Sequence, residues 1–234
     1  MVEPYLVPQW FFGFDVVFGL IFLVITLLVA LYAFRVYKLS GQRNAKLLGT
    51  GFMFISTSYL LQTIINFAIL ERLEENSSGM MNIWKILILQ NIGMYAHTIF
   101  FMMGLITLTY MTLKVENAKL YWLLFISIII SLSFSTNYLY LFYIMSCILM
   151  LFIVWHYLRH YLEHKDRYTM IILAAFILLL FSEIHFFVSL NHQFFYVLGR
   201  FLELVAYILI LINLVWIIQS SKNILSKKQT KKKK

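Results

Sequence analysis

Residues 13–37 read GFDVVFGLIFLVITLLVALYAFRVY, an apolar run in which only Asp15 and Arg35 carry charge. A bilayer core of about 30 Å needs roughly 20 such residues in helical form. The run is followed by a basic turn, Lys38-Leu39-Ser40-Gly41-Gln42-Arg43, and then by a second apolar run from Leu47 to Leu70. Five more follow: Ile83 to Leu113, Leu120 to Phe134, Tyr138 to Tyr161, Met170 to Leu190 and Phe194 to Gln219. The fourth is the shortest. Its turn, Ser135-Thr136-Asn137, leaves a re-entrant hairpin open as the alternative to a full span.

Composition agrees with the runs. Hydrophobic residues make up 62%, charged residues 12%, and mean hydropathy is +0.84. A soluble domain carries about 25% charged residues. Too little polar surface exists to coat a globule in water, which excludes a soluble enzyme, a coiled coil or a disordered tail protein. Cys147 is the only cysteine, which excludes a disulfide scaffold. The runs are continuous, without the ten-residue in-out alternation of barrel strands. The expected fold is therefore all-α: a polytopic seven-transmembrane-helix bundle. Both prolines, Pro4 and Pro8, precede the first run, so no span is broken by proline.

Lysine and arginine set the orientation. Arg35, Lys38, Arg43 and Lys46 follow span one; Lys114 and Lys119 follow span three; Arg159, Lys165 and Arg167 follow span five. The tail holds Lys222, Lys227, Lys228 and Lys231 to Lys234. Only Arg72 and Lys85 fall on the other side, where Glu71, Glu74 and Glu75 also lie. The N-terminus is expected outside and the C-terminus inside, in a multi-pass protein of the cell membrane. The net charge of +9 is mostly this signal and not a nucleic-acid footprint. Residues 1–221 form the expected membrane domain and 222–234 a polybasic cytoplasmic tail. Each tail lysine contributes about 1 kcal/mol of attraction to anionic lipid, so membrane lipids are expected partners. The first residues lack a basic n-region and a cleavage site, so span one is expected to act as its own insertion signal. Asn76-Ser77-Ser78 is a glycosylation sequon on the expected outer loop.

Weak internal similarity aligns Arg35, Tyr37, Arg43 and Phe52 with Arg159, Tyr161, Arg167 and Phe176, and at another offset Gly93 with Gly199. With span four as linker this suggests a parallel 3+1+3 repeat.

Ionisable groups inside a membrane mark functional sites by default. Here they collect in the outer halves of the spans: Asp15, Gln62, Asn66, Gln90, His97, Glu183, His185, Arg200 and Glu203. Helical spacing puts Asp15, Gly19, Phe22 and Thr26 on one face, and likewise Tyr59, Gln62 and Asn66. Gln90, Gly93, His97 and Gly104 share a third face, and Tyr196, Arg200, Glu203 and Tyr207 a fourth. Glu183 and His185 point about 200° apart, at about 100° per residue, so both cannot line one pocket. Asp15, Glu183 and Glu203 face one fixed cation, Arg200. If all are buried, a carboxyl kept protonated by burial, a bound cation, or a protonated His97 or His185 must compensate. The expectation is an outward-facing polar network for a small ligand, proton or cation; the competing reading is polar glue between helices, with Arg200 on Glu203.

Other chemistry is poorly supported. His156, His160 and His164 repeat every four residues at the inner end of span five, weak candidates for a metal site. Three of them cannot share one ion on a straight helix, because the outer two stand about 12 Å apart. Cys147 has no adjacent His, no GxSxG occurs, and span seven has no lysine for a retinal Schiff base. Neither an enzyme nor a cofactor is expected.

The stretch Tyr37-Lys38-Leu39-Ser40-Gly41-Gln42-Arg43, with Leu47-Leu48-Gly49-Thr50-Gly51-Phe52 after it, resembles the first cytoplasmic turn of prokaryotic seven-helix membrane-associated sensor modules, which stand before histidine kinases. The resemblance covers about the first quarter of the chain and implies a sensor or receptor-like module. The chain departs from such proteins after Gln219, where no output domain follows, so signalling would need a cytoplasmic partner or a membrane subunit. A small-solute or ion transporter and a structural subunit of a membrane complex are the alternatives. A polar path through the inner half would favour transport, and a closed floor would favour the others.

Overall fold

The computed structural model describes the backbone of residues 8–75, 80–113 and 117–232, and the side chains there except at 9, 12, 71–75, 80–87, 118 and 220–232. After a short 3-10 turn, seven helices follow among the described residues: α1 (Phe12–Ser40), α2 (Arg43–Glu75), α3 (Met80–Thr112), α4 (Ala118–Phe134), α5 (Tyr138–His164), α6 (Arg167–Ser189) and α7 (Phe194–Lys232). All but α4 are long and apolar enough to cross a membrane, and α4 is a shorter apolar helix of 17 residues. The architecture is that of a multi-pass helical membrane protein. Helix α7 continues past residue 221 to Lys232, so no break in the backbone separates membrane domain from tail. The Asn76 sequon and the side chains of Arg72, Lys85 and the tail lysines lie outside the described residues.

The turns follow from local chemistry. Gly41 adopts φ 68°, and its N–H reaches the Tyr37 carbonyl at 2.8 Å, closing α1. Lys165 takes the same left-handed position at the end of α5, at φ 48°. Asp166 then caps α6, its carboxylate accepting from the Thr169 N–H at 3.3 Å. These two-residue turns force neighbouring helices to run antiparallel.

Helix α2 packs between α1 and α3, and α6 between α5 and α7. The two triplets meet where α1 touches α7 and α3 touches α5, so the six long helices close into a ring. Helix α4 rides outside, against α3 and α5. Of its described side chains only Leu132 is buried, while Trp122, Leu123, Ile126 and Ile130 are exposed. Tyr121 at its start meets Tyr110 near the end of α3, and Tyr95 of α3 stacks at 4.4 Å on Tyr138 at the start of α5. Helix α4 therefore returns the chain from one end of the ring to the other.

The side chains that seat the helices are small. A Cβ added to Gly104 would stand 2.8 Å from the Gly51 carbonyl oxygen, so α2 and α3 touch backbone to backbone. Ser56 of α2 donates to the Leu23 carbonyl of α1, and Ser182 of α6 to the Gly199 carbonyl of α7.

The ends of the ring differ. Toward the end bearing the first turn, α1, α2, α3 and α7 are filled by Phe52, Ile55, Met102, Leu105, Ile106 and Ile210, all buried. The hydroxyls there are absorbed locally: Thr26 donates to Phe22 O, and Thr57 to Met53 O. Arg35, Lys38, Arg43, Lys46, Arg159, Lys165 and Arg167 crowd this basic end. The opposite end holds a cavity.

Candidate functional site

A cavity of about 60 Å³ is lined by residues from all six ring helices and none from α4. Asp15 enters from α1, Tyr59, Gln62 and Asn66 from α2, Gln90 and His97 from α3, Phe142 and Tyr143 from α5, Glu183 from α6, and Arg200 and Glu203 from α7. The lining climbs α2 through Tyr59, Gln62, Asn66 and Ile69 at steps of three and four, a single face about 15 Å long.

Arg200 is the hub, 5% exposed. Its Nε donates to Asp15 Oδ1 at 3.0 Å and to the Tyr196 hydroxyl at 3.0 Å. Nη1 donates to Glu203 Oε2 at 3.3 Å, and Nη2 to the Tyr196 hydroxyl at 2.6 Å. The rings of Phe22, Phe186 and Tyr196 surround the guanidinium at 5.0–5.5 Å. Asp15 receives three donors: Arg200, Tyr196 at 2.7 Å and Asn66 at 3.3 Å. Glu203 also receives three, from Arg200, Tyr59 and Tyr207. One arginine thus ties α1 to α7 and, through the tyrosines and Asn66, both to α2.

Glu183 stands apart. It is 4% exposed, lines the same cavity, and its Oε2 has no hydrogen-bond partner. Gln62 Oε1 and His97 Nδ1, also in the lining, have none either. His97 is wedged among the rings of Tyr59, Phe101 and Phe142. With Asp15, Glu183 and Glu203 against Arg200, the lining carries two negative charges in excess if every acid is ionised. An isolated buried carboxylate is costly unless a proton or a counter-charge neutralises it.

Beneath the cavity lies a layer of rings. Phe22 packs on Tyr59 at 5.2 Å and on Tyr207 at 5.8 Å; Phe52 meets Tyr207 at 6.2 Å. Phe101 meets Tyr59 at 6.4 Å and Phe142 at 5.9 Å. No side chain in this layer is more than marginally accessible. The cavity has a closed floor.

Of the nine network residues expected from sequence, eight line the cavity. His185 does not. Its Nδ1 bonds the Phe181 carbonyl of its own helix at 2.6 Å, and its ring meets Phe195. The divergence of Glu183 and His185 on α6 is real, and Glu183 is the residue turned inward. Missing from the expected set are the hydroxyls of Tyr59, Tyr196 and Tyr207. All three share helix faces with Gln62 or Arg200, but a tyrosine ring in an apolar span serves packing as readily as its hydroxyl serves a polar network. Two of the histidine candidates, His160 and His164, converge with Glu163 rather than with His156, their ligand atoms lying within 4.8 Å of one another. That cluster is exposed, and Glu163 already pairs with Arg159 at 3.1 Å.

No family model, no curated protein and no solved structure matches this chain.

Proposed function

We propose that the protein is a sensor or receptor-like membrane module whose cavity takes a small polar ligand, proton or cation from the outer side. The observation that carries the reading is Glu183: a buried acid without a partner, lining a cavity whose other acids are fully bonded. Orientation rests on the basic residues at the end opposite the cavity, which the positive-inside rule assigns to the cytoplasm. Helix α4 counts as the seventh span on this reading, because it joins opposite ends of the ring. At about 25 Å it is somewhat shorter than the bilayer core. Binding at the cavity would bear on α1 and α7 through Asp15 and Arg200, and so on the turns and tail that contact a cytoplasmic partner.

The second reading is a small-solute or ion transporter on a 3+1+3 plan. The two packed triplets with α4 outside favour such a layout. The ring floor stands against a continuous path.

Single-cysteine labelling separates the two in sealed, oriented vesicles, in a Cys147→Ser background. Met94→Cys in the cavity wall should react with an impermeant thiol reagent from the cavity side. Ile210→Cys below the floor should react from neither side. Labelling of Ile210→Cys from the basic side would favour transport, and silence at Met94→Cys would sink the pocket.

A further inference from the structure

The lining of the cavity specifies more than polarity. Arg200 is the one cation in it among the described residues, and it is committed to Asp15, Glu203 and Tyr196. An anion entering the cavity would meet three acids and a guanidinium already bonded and covered by rings. The fully buried atoms of the lining that stand without a hydrogen bond include two oxygen acceptors, Glu183 Oε2 and Gln62 Oε1, and a nitrogen able to accept, His97 Nδ1. Aromatic rings complete the lining, among them Phe142, Tyr143 and Phe186.

A bare alkaline-earth ion asks for about six or more oxygen ligands, more than Glu183 Oε2 and Gln62 Oε1 offer. A primary ammonium asks for three acceptors and is attracted by ring faces. The volume is also small. At roughly 10–15 Å³ per water by this kind of measure, 60 Å³ holds about four to six waters or a solute of similar heavy-atom count.

We propose that the cavity binds a small protonated amine, with Glu183 as the ammonium's carboxylate partner, Gln62 as second acceptor and the rings as walls. This rests on the reading of the cavity as a ligand pocket. Binding is an exchange. In the empty site the Glu183 carboxyl carries a proton. When the ammonium enters, that proton leaves to solvent, and a carboxylate–ammonium pair takes its place. No covalent bond to the amine forms or breaks, and one proton is released per amine bound. The charged and titratable groups around Glu183 are Asp15 from α1, Tyr59 from α2, His97 from α3, Tyr143 and Cys147 from α5, and Tyr196, Arg200, Glu203 and Tyr207 from α7. Asp15 and Glu203 already hold three donors each, so Glu183 is the group that exchanges.

The test uses the full chain in detergent micelles, with ethylammonium as probe and sodium, acetate and acetamide as controls at matched ionic strength. Ethylammonium should raise the melting temperature saturably. Titration in weak buffer should release one proton per amine bound. Glu183→Gln should abolish both effects, and Glu183→Asp, the check that folding survives, should weaken affinity without abolishing it. Equal stabilisation by sodium, or Glu183-independent stabilisation by acetate or acetamide, would overturn the amine assignment and leave the pocket standing. No stabilisation by ethylammonium while Met94→Cys still labels would overturn it as well. No stabilisation together with an unreactive Met94→Cys would remove the pocket and the assignment together.

Discussion

Two acidic corners of one cavity have opposite character. Asp15 and Glu203 flank Arg200, and each accepts three hydrogen bonds. Glu183, equally buried in the same lining, has a carboxylate oxygen with no partner. The first corner is a joint: it links α1, α2 and α7, and every carboxylate oxygen in it accepts a hydrogen bond. The second adds nothing to the bonding of the bundle and leaves a charge to be neutralised from outside. Residue type and depth are alike in both, and hydrogen-bond count separates them. A buried polar group that is fully bonded serves the scaffold, and one that is not asks for a proton, a water, an ion or a ligand to complete it.

The sharpest way to break this contrast is Arg200→Leu. It strands Asp15 and Glu203 in apolar surroundings, and removing one partner of a buried pair costs about 3–5 kcal/mol. The variant should lose most of its folded fraction in mixed micelles, as read by circular dichroism. Adding Asp15→Asn and Glu203→Gln to it should recover most of the loss, because the stranded charges go with them. If the triple variant is as unstable as the single, the joint works through packing rather than charge.

Tyr196→Phe comes next. The hydroxyl accepts from Nε and Nη2 of Arg200 and donates to Asp15, so its loss leaves charged groups underbonded. About 2 kcal/mol of destabilisation is expected from denaturant unfolding. Tyr59→Phe should cost less, about 1 kcal/mol, since Tyr207 and Arg200 still donate to Glu203. Glu183→Gln should have the smallest effect on stability, within about 1 kcal/mol and toward greater stability, because it removes an unpaired buried acid. A large loss there would place Glu183 in the scaffold and erase the contrast.

Much of this geometry was legible before the fold was known. Helical spacing places Asp15, Gly19, Phe22 and Thr26 on one face, and Asp15, Phe22 and Thr26 are all buried. The same spacing gathers Gln62, Asn66, Gln90, His97, Arg200 and Glu203, all of which line the cavity. It also separates Glu183 from His185, without saying which turns inward. On α6 apolar residues occupy both faces: Phe176 and Leu179 are buried, while Phe181 and Ile184 are exposed. In a lipid-facing bundle the outside of a helix is as apolar as its inside, so the pattern that orients a soluble helix is lost. The Asp15–Arg200 pair lay out of reach for another reason, since its partners come from the first and last helices and meet only when the ring closes. The tyrosine hydroxyls were hidden by their rings, which serve equally at an interface and in a core.

The protonation of Glu183 tests the contrast between the corners most directly. Infrared spectra of the empty protein in micelles report protonated carboxyls by their C=O stretch, resolved by substitution. The expected result is one protonated-carboxyl band that disappears in Glu183→Gln, persists in Asp15→Asn and Glu203→Gln, and vanishes from the wild type when ethylammonium is added. A band that persists in Glu183→Gln and disappears instead in Glu203→Gln would contradict it, because the charge to be neutralised would then lie in the joint.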